Sequence, residues 1–139
     1  MSKTGSSANP LYAQVVTLYH RDAAAQSIRR VVLRGVFLDT RRRGTVSETG
    51  GQEAGAFLLI VPEQTARFGV DYTLAPQDKL FAGEGPEVSW QAWAQFAPAT
   101  VPGLAVVQYV DPKTRRGAPC HLEAGGWWTK GGSGAHSLT

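Results

Sequence analysis

Apolar and polar positions follow one another along this chain in short runs that glycine, proline and polar residues interrupt. Such runs cover residues 11–20, 29–38, 57–61, 78–83, 104–110 and 119–124, and they are rich in the aliphatic and β-branched residues that are typical of strands. Residues 29–38 alternate most regularly, and Gly35 within that run indicates a β-bulge or a close backbone approach. The pattern predicts a mainly β fold, a small antiparallel barrel or sandwich, of which we expect the β-barrel.

One segment has the spacing of a short helix. Trp90, Trp93 and Ala94 recur at positions i, i+3 and i+4. Ser89 is a good N-cap residue, and Pro98 would end the helix. We therefore predict one helix at about residues 87–97.

The longest polar interruption lies between two strongly β-type runs, at residues 39–55. Seventeen residues make a long strand connection, and connections of that length are usually functional or disordered. This segment is rich in glycine and carries three consecutive arginines, Arg41, Arg42 and Arg43. We predict a long basic loop that projects from the β-domain.

The length of the chain fits one domain with a real core. We expect a flexible arm at residues 1–13, a single β-barrel domain at 14–126 and a glycine-rich tail at 127–139, with the Trp127-Trp128 pair packed on the barrel. Sixteen glycines and eight prolines among 139 residues indicate many turns, as an all-β fold requires. One cysteine excludes an intrachain disulfide.

Residues 1–10 lack the apolar stretch of a signal peptide. The longest apolar run, residues 56–61, is far shorter than a membrane span. We therefore expect a protein that is made and used in the cytoplasm, or on a particle assembled there, with no membrane partner.

No constellation of catalytic or metal-binding residues stands out. Cys120 and His121 are adjacent, so in a strand they point to opposite faces and cannot form a dyad. The three histidines, His20, His121 and His136, lack the spacing of metal ligands. The glycines of residues 44–55 match neither the Walker pattern nor the dinucleotide-binding pattern of phosphate-binding loops. The carboxylates are scattered through turns, so no pair suited to acid–base catalysis stands out. We predict no catalytic, cofactor or metal site and no enzymatic activity; a Cys120 thiolate beside His20 would revive the enzyme hypothesis.

The net charge of +3 indicates an anionic partner because the arginines that contribute to it are clustered. Arg41, Arg42 and Arg43 can neutralise phosphates without reading bases, and Arg115 and Arg116 form a second basic turn. The alternative is a solvated loop with no partner. We interpret the tryptophans as core residues, because basic residues do not alternate with them. A surface that stacks bases would require such basic residues.

Six segments in this order resemble small minor capsid proteins of tailed bacteriophages, the head-completion or stopper proteins of the head–tail connector. The segments are VTLYHR at 16–21, RVVLRGVFLD at 30–39, FLLIVP at 57–62, QDKLFAGEG at 77–85, VVQYVD at 106–111 and CHLEAGG at 120–126. The resemblance covers residues 14–126. The alanine-rich residues 21–27 and the double-tryptophan tail depart from it.

The resemblance implies a structural virion protein, a β-barrel that assembles as a ring of six or twelve copies below the portal or adaptor. The ring would close or extend the DNA channel, and a tail terminator or tail protein would follow on its other side. The 39–55 loop would then be a gating loop that brings Arg41, Arg42 and Arg43 to packaged double-stranded DNA, with Arg115 and Arg116 as a secondary contact. We expect both termini to become ordered against adjacent subunits.

Two other functions fit a small β-barrel. One is a tail-completion or tail-tube-like structural subunit. The other is a single-stranded nucleic-acid-binding barrel, which would need exposed aromatic residues beside basic ones on its strand faces. The mostly aliphatic strands of this chain disfavour the second.

Overall fold

Six antiparallel strands close into a β-barrel in the computed structural model, which describes residues 13–46 and 52–130. The order around the barrel is β1-β2-β3-β6-β5-β4, with β4 paired back to β1. The strands are β1 (Gln14–Asp22), β2 (Ser27–Val46), β3 (Gln52–Pro62), β4 (Lys79–Ala82), β5 (Leu104–Arg115) and β6 (Ala118–Lys130). The predicted mainly β fold and its antiparallel barrel are confirmed.

The strands are strongly staggered around the barrel. A circuit of paired residues that leaves β2 at Arg30 returns to β2 at Arg41, eleven positions further along the chain; it passes through Tyr19, Lys79, Val106, Trp127 and Ala56. Such a stagger means that the strands tilt steeply against the barrel axis. It also explains the twenty residues of β2, whose first half pairs with β1 and whose second half pairs with β3.

The barrel interior is filled by one apolar cluster to which all six strands contribute. On β3, Phe57, Leu59 and Val61 point inward and are almost fully buried. On β2 the alternation changes phase, because Leu33 and Val36 both face the core. The predicted bulge causes this change: Gly35 has a φ of 90°, and the pairing with β1 shifts at this point.

Residues 83–103 cross the outside of the barrel over β1, β4 and β5 and enclose a second, smaller core around Tyr19, Phe96 and Leu104. The helix predicted at 87–97 is wrong, since the described residues contain no helix and this segment is a series of turns. Most of its hydrogen bonds join residues three apart, although Ser89 does accept the amide of Ala92 at 3.2 Å as a cap would. Short helices need tertiary support, and here Lys79 holds the backbone carbonyls of the turns instead.

The loop predicted at 39–55 is also wrong over most of its length. Strands β2 and β3 continue through it as a paired hairpin up to Val46 and Gln52, and residues 47–51 lie outside the described residues. Residues 39–55 are called the basic hairpin below. Strand β6 likewise continues past the predicted tail boundary as far as Lys130, which pairs with Glu53.

The arm at residues 1–12 and the tail from residue 131 onward lie outside the described residues, so the prediction that they order against neighbours is not tested. Within the described ranges, no helix has both the length and the apolar character needed to cross a bilayer.

Candidate nucleic-acid interface

The basic hairpin extends beyond the wall of the barrel. The pairing of β2 with β1 ends at Val36, and the pairing of β6 with β5 ends at Trp127. Past these points β2, β3 and β6 form a narrow three-stranded ribbon whose two outer edges have no barrel strand beside them among the described residues. A segment with that shape reaches away from the domain that carries it.

The arginine triplet lies where this ribbon leaves the barrel. Arg41 pairs with Ala56 on β3, and Arg42 and Arg43 follow in the same strand with a bulge between Arg42 and Gly44. The Arg41 side chain is 79% exposed, and its Nε donates to Asp39 Oδ2 at 3.1 Å. An exposed ion pair of this kind is worth less than about 1 kcal/mol, so Arg41 can exchange Asp39 for another anion at little cost.

The second basic pair lies far from the first. Arg115 and Arg116 are exposed at the β5–β6 turn, where positive φ values at Arg116 and Gly117 fit a two-residue type I′ hairpin. Ala118 at this turn and Trp127 in the row of Arg41 are nine residues apart on β6, or about 30 Å at the usual strand rise. The structure therefore places the two basic groups at opposite ends of the barrel, and they do not form one patch.

A groove on the outer wall brings together residues that the sequence analysis did not connect. It has a volume of about 760 Å³ and lies between the 93–98 turns, residues 75–79 and Trp127. At its base His20 Nδ1 lies 2.8 Å from Asp78 Oδ2, which also accepts the amide of Ala75 at 2.8 Å. Burial raises the pKa of the Asp78 carboxyl, and the hydrogen bonds from His20 and Ala75 oppose that rise.

The same groove contains a buried lysine. Lys79 Nζ donates to the carbonyl oxygens of Trp93, at 2.8 Å, and Phe96, and it lies 4.0 Å from the centre of the Trp93 ring. Burial lowers the pKa of Lys79 to about 8, and the nearby Arg21 charge adds to this effect. Arg21 itself lies over the Trp90 ring at 4.4 Å. These cations fasten residues 90–96 to the barrel wall.

The contacts in the groove join segments of the chain that are distant in sequence. Among the described residues, those that line it include no serine, threonine or cysteine. The hydrogen bond between His20 and Asp78 holds the 75–78 turn against β1. Sequence reasoning missed the pair because its members are 58 residues apart and only the closure of β4 onto β1 brings them together. The lysine in the apolar segment DKLFAG was the one local signal.

The remaining candidate residues stay apart. His20 lies on β1 and Cys120 on β6, two strands that are not neighbours in the barrel, and the backbone of Cys120 accepts the amide of Glu63. His121 follows Cys120 on the same strand and pairs with Pro62. Among the described residues no group of three or more His, Cys, Asp or Glu side chains could hold a metal ion.

Comparisons with known proteins add no family to this picture. Neither the protein-family models, nor the curated proteins, nor the solved structures contain a match to this chain.

Proposed function

We propose that this protein is a structural subunit of the head–tail junction of a tailed bacteriophage. In this proposal copies of the chain form a ring below the portal or adaptor protein and close or extend the DNA channel. The observation that carries the proposal is the basic hairpin, which combines a rigid β-barrel base, a ribbon that leaves the barrel, and three consecutive arginines where it leaves.

A ring gives the arginines an effect that a single copy would not have. Each phosphate contact contributes modestly and without reading sequence. A ring repeats Arg41, Arg42 and Arg43 around one axis, so the summed positive potential falls on the channel that the DNA must pass. Binding of this kind suits packaged double-stranded DNA, because phosphate contacts do not depend on the sequence that lies in the channel.

The proposal also gives each end of the barrel a different partner. Because the two basic groups are about 30 Å apart along β6, the hairpin end can face the DNA while the opposite end meets a neighbouring protein. The portal or adaptor on the head side and a tail terminator or tail protein on the other are the neighbours of a protein in this position, and the virion is its location.

The test is complementation of a phage that lacks this gene with a chain carrying Arg41→Ser, Arg42→Ser and Arg43→Ser together. We expect the variant to fold and to enter particles, because the three positions follow the last residue pair between β2 and β1 and the change alters no residue of the described apolar cluster. We also expect the particles to package DNA and then lose it, as counted by electron microscopy of full and empty heads.

The matched control removes the other basic group with Arg115→Ser and Arg116→Ser. These particles should retain DNA at close to the normal level. Normal retention in the triple variant would show that the hairpin does not act on DNA, and absence of the protein from purified virions would overturn the whole proposal.

A further inference from the structure

An apolar stripe runs along the outside of the barrel on β3. Because Phe57, Leu59 and Val61 point inward, the residues between and beside them point outward. These outward residues are apolar and only partly exposed: Ala56, Leu58, Ile60 and Pro62. Phe37 lies beside Ile60 on β2 and widens the stripe. A strand in an antiparallel sheet that faces water on its outer side usually carries polar residues there, so this face has the composition of a contact surface.

A shallow apolar depression lies on the 83–103 segment. It has a volume of about 600 Å³ and is lined mainly by Pro86, Val88, Ala92, Phe96 and Val101. Its walls are fixed in place, because the Tyr19 hydroxyl donates to the Pro86 carbonyl at 2.7 Å and Lys79 binds the Phe96 carbonyl. The depression is therefore a preformed surface on the wall of β1 and β4.

The stripe and the depression lie on opposite walls of the barrel. In the closed order β1-β2-β3-β6-β5-β4, strand β4 is three steps from β3 in either direction. A head-to-tail contact requires two different surfaces on each subunit, and an apolar stripe on one wall with an apolar depression on the other gives each copy both halves of the interface.

We propose that copies of this chain associate head to tail, with the β3 stripe of one copy seated in the 86–101 depression of the next. This inference rests on the proposed function, which requires a ring. It identifies the two surfaces through which neighbouring subunits of that ring contact each other. Contacts through opposite walls leave both barrel ends free, so the basic hairpin of every copy can point toward the axis of the ring.

The charges at the edges of the two surfaces favour a second copy as the occupant. Arg41, with a 79% exposed side chain, lies beside Ala56 at one end of the stripe. Glu87 is the charged residue that lines the depression; its side chain is 92% exposed, and its Oε2 lies 3.9 Å from Arg30 Nη1, a long contact that leaves most of the carboxylate open to solvent. Seating one copy on the next turns the positive edge of the stripe toward this exposed carboxylate; the attraction acts at a distance, so Arg41 itself stays available to DNA and assembly does not depend on it.

The test uses two blocking variants of the full chain and a control. Leu58→Glu blocks the stripe, and Ala92→Glu blocks the depression at an exposed position. Leu58→Thr is a milder block that suits a strand and replaces Leu58→Glu if the latter unfolds. Val70→Glu is the control, because Val70 is 61% exposed and lies on neither surface. Circular dichroism establishes that each variant is folded, and light scattering with electron microscopy measures its assembly.

We expect rings from the unaltered chain and from the Val70 variant, and a single subunit of 14.9 kDa from each blocked variant. An equal mixture of the two blocked variants retains one intact pair of surfaces, so it should form a dimer of twice that mass and grow no further. Rings from both blocked variants, or no dimer in the mixture, would overturn this interface while leaving the proposed function standing. A monomeric unaltered chain at every concentration would overturn both.

Discussion

The side-chain amide of Gln14 forms two hydrogen bonds with the backbone of Leu38, as the next residue of a paired strand would. Gln14 Nε2 donates to the Leu38 carbonyl at 2.9 Å, and the Leu38 amide donates to Gln14 Oε1 at 2.8 Å. Backbone pairing between β1 and β2 stops at Gln14 and Val36. The glutamine side chain therefore extends the ladder by one step at the point where β2 leaves the barrel for the basic hairpin.

Replacing Gln14 by Ala should loosen this junction. Two neutral hydrogen bonds of this kind are together worth about 2 kcal/mol, so we expect the free energy of unfolding in urea to fall by about that amount. Hydrogen exchange gives a local measure, because the Leu38 amide loses its acceptor and should exchange faster. Gln14→Glu keeps an acceptor and is the control. Unchanged protection of Leu38 in the alanine variant would show that the contact does not hold the junction.

The sequence predicted the parts of the fold that bury one face. Residues 29–38 alternate because the barrel interior needs apolar side chains at every second position, and Gly35 marked the bulge that changes the phase. In residues 57–61 every residue is apolar, so the run predicted a strand but not which of its faces points inward. The basic hairpin gave no such signal, because its sequence is rich in arginine and glycine and lacks the alternation of apolar residues that marks a half-buried strand. Polar and glycine-rich residues there resemble a loop, although Arg41 and Ala56 are paired.

The wrong helix and the missed groove have a common cause. Trp90, Trp93 and Ala94 do not form one packed face, because Ala94 is exposed, whereas Arg21 and Lys79 on the outer wall of the barrel contact the rings of Trp90 and Trp93. Those contacts depend on strands β1 and β4 being neighbours. A single sequence carries no local pattern for that pairing, so neither the turns nor the His20–Asp78 contact could be predicted.

The buried hydroxyl of Tyr72 predicts a stabilising substitution. Tyr72 is 1% exposed, and its hydroxyl has no hydrogen-bond partner among the described residues. Burial, with the nearby charges of Glu63 and Asp71, raises its pKa, so the hydroxyl stays protonated at ordinary pH. An unpaired buried hydroxyl costs free energy. Tyr72→Phe should therefore raise the free energy of unfolding by about 1 kcal/mol.

Tyr19 is the matched control for that experiment. It is equally buried, but its hydroxyl donates to the Pro86 carbonyl at 2.7 Å. Tyr19→Phe removes this hydrogen bond and should lower the free energy of unfolding by about 1 kcal/mol. Chemical denaturation of both variants measures the two effects together; a loss of stability in Tyr72→Phe as large as in Tyr19→Phe would contradict the assignment of an unpaired hydroxyl.

Two adjacent glycines on β6 should respond very differently to alanine. A Cβ at Gly126 would collide with the backbone carbonyl oxygen of Val106 and come within 2.7 Å of the Phe57 ring. Backbone and a buried ring cannot move aside cheaply, so Gly126→Ala should lower the free energy of unfolding by about 3 kcal/mol or more. A Cβ at Gly125 would meet the ring of Tyr109, which is 43% exposed.

That ring can swing outward into water, and the main loss in Gly125→Ala is the hydrogen bond from the Tyr109 hydroxyl to Glu123 Oε2. We expect a cost of about 1 kcal/mol for this exposed contact. Thermal unfolding of the two single variants compares them directly. Equal destabilisation would mean that the strand backbone, and not the neighbouring groups, determines the requirement for glycine.

Lys79 makes the stability of the protein depend on pH in a defined direction. The pKa of Lys79 in the folded state is about 8, below its ordinary value of 10.5, chiefly because the ammonium is buried. Between these two values the unfolded chain holds a proton that the folded chain has released. The free energy of unfolding therefore rises with pH through this window, by at most about 1.4 kcal/mol per pH unit. Below pH 8 both states are protonated and the contribution of Lys79 is constant.

Urea unfolding of the unaltered chain and of Lys79→Met at pH 7, 8, 9 and 10 isolates this contribution, because the difference between the two cancels the titration of other groups. We expect the difference to be constant up to about pH 8 and then to grow in favour of the unaltered chain. Lys113→Met is the control, since Lys113 is exposed and its ion pair with Asp111 raises its pKa above the ordinary value. The difference in free energy of unfolding between the unaltered chain and Lys113→Met should stay constant from pH 7 to 10. A constant difference for Lys79→Met would contradict the prediction, and it would show that the hydrogen bonds to the carbonyls of Trp93 and Phe96 keep the buried ammonium protonated.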